Sequence, residues 1–274
     1  MTGKATVPVA KRSDGTFKAN FMNREYVLRT SKELEDFEEK LDVAGFYYHC
    51  ADEETIQEIM SNEKEQNALF LQKIVERIGQ WIEFADERLA GTAIKCYVCP
   101  GNDDVFEIDE IIDRSKYVTN AEGKVININN DNEMISSGWS TPTPWKTPRE
   151  ISDEMLAKKI ESLASQIDNM ENCIFALHDP PRDTSLDEAQ AIDKNLKATM
   201  GDTMHVGSSS VRNAIIKYQP LLGLHGHIHE SKGFCKLGRT LCTNPGSVYG
   251  TGTLQNALIV LDKNKVEDFA LLMG

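Results

Sequence analysis

Three apolar runs in this chain each lead into a turn that is marked by glycine or proline and carries nitrogen or oxygen side chains. The runs cover residues 93–98, 174–177 and 220–224, and the turns are Gly101-Asn102-Asp103-Asp104, His178-Asp179-Pro180-Pro181 and Gly226-His227-Ile228-His229. In an open α/β sheet the carboxyl ends of the strands lie along one edge, so the three turns can converge on one crevice. The pattern predicts an α/β fold with a polar site at that edge.

The third turn is the richest in histidine. Three of the six histidines lie within residues 225–229, and the sequence Thr-Asn-Pro-Gly-Ser follows at 243–247. Histidines at i and i+2 of an extended segment point to the same side, which suits two neighbouring metal ions. Such a pair standing alone is more often structural than functional. The two other turns favour a metal site, and their donors (imidazole, amide and carboxylate, without cysteine) suit Mn, Fe or Zn.

Charge and composition narrow the class of protein. With 30 Lys and Arg against 43 Asp and Glu, the net charge is −13, which argues against general binding to nucleic acids or anionic membranes. No apolar run reaches the ~20 residues of a membrane span, and residues near the N-terminus lack the apolar core expected of a signal peptide. The six scattered cysteines are expected to be free thiols. These features predict a cytoplasmic protein with one domain over residues 1–274.

The periodicity of apolar residues predicts the remaining elements. Ser31 is expected to cap a helix, and an apolar stripe along 51–89 predicts helix with those side chains in the core. A helix is expected over 152–167, a polar loop over 182–205, and a short helix from the serines at 208–210 to 218. The C-terminal third, from 221 onward, is expected to be rich in β-strands.

The order of the motifs closely resembles the calcineurin-like metallophosphoesterase family, particularly its small prokaryotic members, through almost the whole chain. The resemblance implies a four-layer α-β-β-α sandwich that holds two divalent metal ions (Mn, Fe, Zn or Ni) and a metal-bound hydroxide that attacks phosphorus. By matching position, Asn102 and His178 would bind one metal with His227 beside them, and His229 would bind the other.

The sequence departs from the family pattern at two places. Asp103 stands where the family has a histidine that helps to protonate the leaving group or hold the phosphate, so it is expected to act as an extra ligand or an orienting base. Alternatively, Asp103 and Asp104 only shape a turn. The family's first two motifs, Asp-x-His and Gly-Asp, are absent, which predicts that the first strand-helix-strand unit is missing and exposes sheet edges that another chain, including a second copy, could pair with.

Two functions follow from this pattern. The first is a metal-dependent phosphoesterase acting on a small phosphate mono- or diester, favoured by Asn102, His178, His227 and His229. Bound cations would attract such a substrate despite the acidic surface. The alternative is a non-catalytic or truncated scaffold or binding protein, favoured by Asp103 and by the absent motifs. Outside this set, His225 is expected in the core, and His205 with the serines at 208–210 could contact phosphate, although plain helix capping is the simpler interpretation.

Overall fold

The structure is a computed structural model that describes residues 3–192 and 198–274. The chain is mixed α/β, as the sequence predicts. It divides into two compact units. The N-terminal unit contains the described residues up to Glu83 together with Tyr249–Thr253, and the main unit contains Phe84–Val248 and Leu254–Gly274. A single domain over 1–274 stays a prediction.

The N-terminal unit is built around a four-stranded sheet of order β3-β2-β1-β4, in which β1 is antiparallel to β2 and parallel to β4. Apolar residues such as Val9, Phe37 and Leu41 form its core. Its strands and the helices that begin within it are β1 (Thr6–Lys11), β2 (Phe17–Phe21), β3 (Arg24–Leu28), α1 (Ser31–Val43), β4 (Tyr47–Asp52), α2 (Glu53–Ser61) and α3 (Glu63–Leu89).

Two expectations for this part of the chain need correction. Helix α1 begins at Ser31, but its cap is Thr30, whose hydroxyl accepts a hydrogen bond from Glu33 N at 3.1 Å. The apolar stripe along 51–89 lies only partly in the core: Ile56, Ile74 and Ile78 are buried, whereas Met60, Trp81 and Phe84 are exposed. A periodic stripe shows which face of a helix can pack, but not how much of its length finds a partner.

The main unit contains the remaining elements. They are β5 (Cys96–Val98), α4 (Glu107–Asp113), β6 (Val118–Asn120), β7 (Val125–Asn127), β8 (Glu133–Ser137), α5 (Asp153–Ala164), β9 (Ile174–Leu177), β10 (Glu188–Ile192), β11 (Ala198–His205), α6 (Ser209–Tyr218), β12 (Leu222–Leu224), β13 (Gly233–Leu237), β14 (Thr240–Asn244), β15 (Gln255–Asp262) and β16 (Lys265–Met273). Strand β9 and helix α6 have the predicted bounds, and α5 lies within the predicted helix.

A six-stranded sheet of order β13-β14-β12-β9-β8-β7 is the centre of the main unit, and its four inner strands are parallel. Because side chains alternate between the faces of a sheet, Ile135 and Phe175 pack on one side with α5 and α6. Their neighbours Met134 and Ile174 pack on the other side with apolar residues of β5 and β15. The main unit thus has a helix layer, a sheet, and a layer that includes the short sheets β5–β6 and β15–β16. The full four-layer sandwich stays a prediction.

Residues 182–205 are not simply a polar loop, because β10 and β11 form an antiparallel hairpin there. Polar and small residues alternate weakly in β10, so the strand pattern is faint in the sequence, while backbone pairing does not depend on apolar side chains. The strand expected over 93–98 is shorter and begins at Cys96. All six cysteines are free, as predicted. Within the described residues, no helix combines the length and the apolar character needed to cross a membrane.

Candidate metal centre

Asn102, His178 and His227 come together at one point, each delivered by a different strand end. Asn102 Oδ1 lies 2.9 Å from His178 Nε2 and 3.0 Å from His227 Nδ1. The two imidazole rings are 5.2 Å apart between centroids and inclined by 68°. The turns after β5, β9 and β12 therefore converge as the sequence pattern predicts.

Backbone hydrogen bonds extend the sheet beyond the strand ends and hold these turns in register. His178 N donates to Ser137 O at 2.8 Å, and Gly226 N donates to His178 O at 3.0 Å. Gly101 must lack a side chain, because a Cβ there would lie 2.8 Å from His178 Cε1. The position of the His178 ring is thus set by its neighbours on two sides.

Burial keeps both imidazoles of the site neutral. It lowers the pKa of His178 to about 3, with a further contribution from His227. It also lowers the pKa of His227 to about 4, assisted by His229. Neutral imidazole is the form that binds metal ions. Without a metal, each ring nitrogen facing Asn102 Oδ1 carries a proton and donates a hydrogen bond to that oxygen.

The amide of Asn102 is oriented by a polar chain that the motif analysis missed. Asn102 Nδ2 donates to Thr147 Oγ1 at 2.9 Å, and Thr147 Oγ1 donates to Glu150 Oε1 at 2.6 Å. Burial raises the pKa of Glu150, but hydrogen bonds from Thr143 and Thr147 outweigh it, and the net shift is downward. The ionised carboxylate anchors the chain, so Oδ1 of Asn102 faces the histidines. The Thr-x-x-Glu spacing at 147–150 is the signal that could have revealed it.

Arg149 holds the backbone of the first turn. Its side chain is only 1% exposed. Its backbone N donates to Asn102 O at 3.0 Å, its Nε donates to Asp104 O at 2.9 Å, and Nη2 forms an ion pair with Asp109 at 2.9 Å. Asp104 accepts a hydrogen bond from Gly101 N at 2.8 Å and therefore shapes the turn. This confirms the turn-shaping interpretation for Asp104.

Asp103 and His229 lie differently from the three converging residues, because both are exposed. Partial loss of hydration raises the pKa of Asp103, and the Asp104 carboxylate adds to the effect. His229 acts electrostatically on both His178 and His227. The roles of Asp103 as a catalytic residue and of His229 as a metal ligand stay predictions.

The backbone of the third turn is not extended, so the argument that places His227 and His229 on the same side fails. Strand β12 ends at Leu224, and His227 has a left-handed φ of 63°. His225 is buried, and its Nδ1 lies 2.8 Å from Leu177 O. Burial lowers the pKa of His225 to about 4, and the ring is a core residue, as the sequence suggests.

Ser208 caps helix α6, and Ser209 and Ser210 lie in its first turn. Ser208 Oγ accepts a hydrogen bond from Val211 N at 3.0 Å and donates to Asp153 Oδ1 at 2.5 Å. His205 Nδ1 lies 2.9 Å from Oδ1 of the buried Asp187. The capping interpretation is confirmed, and a phosphate contact by His205 stays a prediction.

The donor set of Asn102, His178 and His227 fits one divalent ion. Two neutral imidazole nitrogens and an amide oxygen are ordinary ligands of Zn or Mn, and three protein ligands leave a position open for substrate or water. Within residues 3–192 and 198–274, no group of three or more His, Cys, Asp or Glu side chains is arranged to hold a metal ion. Of the residues assigned to a particular ion by the family resemblance, only His229 is predicted to bind the second one.

The chain was compared with family models, solved structures and curated sequences. No family model matches the chain. TT1561 of Thermus thermophilus superposes with a TM-score of 0.44 at 16% identity, covering 73% of this chain and 79% of that one. The sulfate thiohydrolase SoxB of Thermus thermophilus, in complex with glycerol, superposes with a TM-score of 0.37 at 12% identity, covering 88% and 41%.

A curated relative is closer in sequence. The uncharacterized protein MJ1162 of Methanocaldococcus jannaschii is 33% identical over 170 residues, which cover 60% of this chain and 71% of that protein. The chain thus belongs to the same protein family as MJ1162 of Methanocaldococcus jannaschii.

Proposed function

We propose that this protein is a metal-dependent phosphoesterase of the calcineurin-like type, hydrolysing a small phosphate mono- or diester. The observation that carries the proposal is the convergence of three donor atoms, in which His178 Nε2 and His227 Nδ1 both lie within 3.0 Å of Asn102 Oδ1. The three atoms come from three separate strand ends, and once the two ring protons are displaced all three offer lone pairs to one cation. The order of the motifs that carry them supports the same reaction class.

Each of these side chains has a distinct task in the proposed site. His178 and His227, held neutral by burial, would bind the cation through Nε2 and Nδ1, and Asn102 through Oδ1. The cation, when bound, would supply positive charge that stabilises the negative charge developing on the phosphoryl group and lowers the pKa of water. Thr147 and Glu150 keep the amide turned towards the ion. We further propose that His229 belongs to a second ion and that Asp103 acts as an extra ligand or orienting base.

The surface charge bears on the substrate. A net charge of −13 repels polyanions, so the proposal specifies a small phosphorylated molecule attracted by the local cation, without general nucleic-acid or membrane binding. A cytoplasmic location and the possibility of a homo-oligomer belong to the proposal as well. Manganese is the first metal to test.

A binding or scaffold protein of the same fold is the second candidate. Within the described residues, one observation favours it: no carboxylate joins the histidines in a group that could hold a metal ion. Two neighbouring dications normally need negative charge between them. A scaffold would keep the folded turns and show no metal-dependent turnover.

The test combines metal content with turnover. The 274-residue chain, purified with Mn²⁺ and without chelator, is analysed for bound metals and assayed on chromogenic phosphate mono- and diesters with Mn, Fe, Zn and Ni. We expect bound metal and metal-dependent hydrolysis, both lost in His227→Ala. His49→Ala in β4 of the N-terminal unit is the control and should keep both. A wild-type chain that is inert with all four metals would contradict the phosphoesterase proposal and favour a binding or scaffold protein.

A further inference from the structure

The segment Asn244-Pro245-Gly246-Ser247, which follows β14, lies against the turn that carries His227 and His229. Asn244 is 1% exposed. Its Nδ2 donates to Ile228 O at 2.8 Å and to Gly226 O at 3.2 Å, and lies 3.4 Å from Leu186 O. Its Oδ1 accepts a hydrogen bond from Gly246 N at 2.9 Å. Both polar atoms of this side chain are therefore hydrogen-bonded.

The backbone between these contacts is strained. His227 has φ 63°, a left-handed conformation that a residue with a Cβ rarely adopts and that persists only when its surroundings impose it. The carbonyl before His227, of Gly226, and the carbonyl after it, of Ile228, both accept hydrogen bonds from the Asn244 amide. One side chain thus spans the strained residue from both sides.

The remainder of the segment adds a second attachment one residue further along. Ser247 N donates to His229 O at 3.0 Å, and Ile228 N donates to Gly226 O at 2.7 Å inside the turn. Gly246, with φ 71°, brings the chain so close that a Cβ there would lie 2.9 Å from His229 O. The segment therefore follows the histidine turn along its length.

We propose that Asn244 is a positioning residue for the metal centre: it fixes the left-handed turn at His227 and thereby aims Nδ1 at Asn102 Oδ1. This inference rests on the proposed function for its consequence, which is metal affinity. Asparagine suits the position because its amide donates to carbonyls while its oxygen accepts from Gly246 N. Aspartate has nearly the same shape but no N–H, so it would place negative charge against two or three carbonyl oxygens.

The test compares Asn244→Asp with a matched exchange elsewhere in the main unit. Asn132 is 2% exposed, and its Nδ2 donates to Asn172 O at 3.0 Å and to Lys263 O at 3.1 Å, in the connection between β7 and β8. Asn132→Asp therefore breaks the same kind of buried amide-to-carbonyl bonds without touching the histidine turn. Any general cost of burying the new carboxylate appears in both variants.

Two readouts are taken below the melting temperature of both variants. The first, without metal, is hydrogen exchange at the amides of Ile228 and Ser247, which we expect to accelerate at least tenfold in Asn244→Asp and to stay unchanged in Asn132→Asp. The second is the dissociation constant for Mn²⁺, measured by titration calorimetry, which we expect to rise about 10- to 100-fold in Asn244→Asp alone. If Asn244→Asp does not fold, Asn244→Ala removes the donor without adding charge and takes its place.

The outcomes separate this inference from the proposed function. Unchanged exchange, or equal Mn²⁺ affinity in wild type and Asn244→Asp, overturns the positioning role even where the wild-type enzyme is active. Equal weakening by Asn132→Asp also overturns it, because the effect is then general destabilisation. A wild-type chain that binds none of Mn, Fe, Zn and Ni contradicts the proposed function, and the exchange measurement still decides whether Asn244 holds the turn.

Discussion

Strand β4 of the N-terminal unit and strand β9 of the main unit both pair in parallel with a neighbouring strand. Asp52 is the last residue of β4 and His178 directly follows β9, but these two polar residues have different roles. At the end of β4, Asp52 caps helix α2: Oδ1 accepts from Thr55 N and Oδ2 from Thr55 Oγ1, both at 2.9 Å. After β9, no helix follows directly, and the His178 ring reaches Asn102 instead. The same strand-end position therefore serves stability in one unit and a candidate site in the other.

The difference shows that a strand end becomes a site only when its polar group is not needed by the next element. A helix start leaves backbone N–H groups without partners, and a carboxylate there is consumed in satisfying them. A turn such as the one after β9 makes no such demand on the side chain. The contrast between the two units predicts four differences that mutations can measure.

The largest contrast is expected between two glycines. A Cβ on Gly138 would lie 1.5 Å from Pro100 O, just before the Asn102 turn, whereas a Cβ on Gly79 in α3 meets nothing within 4 Å. Gly138→Ala should lower the free energy of unfolding by at least about 3 kcal/mol, because the backbone beside the site must move. Gly79→Ala should raise it by about 0.5–1 kcal/mol. Urea denaturation measures both, and an unchanged or raised stability of Gly138→Ala would show that the turn backbone adjusts easily.

The next contrast concerns the histidine ring itself. Gly101→Ala places a Cβ 2.8 Å from His178 Cε1 and should displace the ring, so Mn²⁺ affinity should fall at least about tenfold. The matched change, Gly45→Ala in the N-terminal unit, is also strained, with φ 78° and a Cβ 3.3 Å from the Tyr249 ring. It should lower stability and leave Mn²⁺ affinity unchanged in calorimetric titration. An undiminished affinity in Gly101→Ala would argue against His178 as a ligand.

Two threonines that donate to a carboxylate three positions away provide a smaller contrast. Thr147 Oγ1 donates to Glu150 at 2.6 Å and accepts from Asn102, whereas Thr55 Oγ1 donates to Asp52 at 2.9 Å. Thr55→Val and Thr147→Val should each lower the free energy of unfolding by about 1 kcal/mol. Only Thr147→Val should also weaken Mn²⁺ binding, because the Asn102 amide loses its orienting acceptor. Equal Mn²⁺ affinities in the two variants would show that Thr147 does not contribute to metal binding.

The smallest expected effect is a pH dependence of opposite sign in the two units. The hydrogen bond with Asp187 raises the pKa of His205, so its stabilisation is complete below the unfolded value near ~6.5 and is lost as the pH rises through the higher folded pKa. Burial lowers the pKa of His49, so stability falls as the pH drops from about 6.5 through the lower folded value.

Unfolding free energies at several pH values, compared with His205→Gln and His49→Gln, check both signs. His205 is 39% exposed, so solvent screening should keep its contribution below about 1 kcal/mol. His205→Gln should reduce the pH dependence of the unfolding free energy above about pH 6.5, and His49→Gln should reduce it below about pH 6.5. A profile that neither exchange alters would show that neither the His205–Asp187 hydrogen bond nor the burial of His49 makes stability depend on pH.

Local patterns in the sequence were enough for several elements. The apolar run 174–177 is strand β9 and the serine-marked start at 208–210 opens α6, because a short apolar run and a capping side chain act within their own segment. The hairpin of β10 and β11 was missed, since its stability comes from pairing between segments and its residues are not strongly apolar. The polar chain from Asn102 to Glu150 was missed because its first hydrogen bond joins residues 45 positions apart.

The α/β class and the residues available for the site can be recognised in the sequence: three strand ends carry Asn102, His178 and His227, and strand ends and turn residues are local properties. Which donors meet depends on the tertiary structure. Asn102 lies 76 residues from His178 and 125 from His227, and sheet order, burial and the Asn244 contacts bring them together. The i and i+2 spacing suggested that His227 and His229 lie in an extended segment, but His227 adopts a left-handed conformation. A strained backbone depends on contacts from elsewhere in the chain, and spacing along the sequence does not contain them.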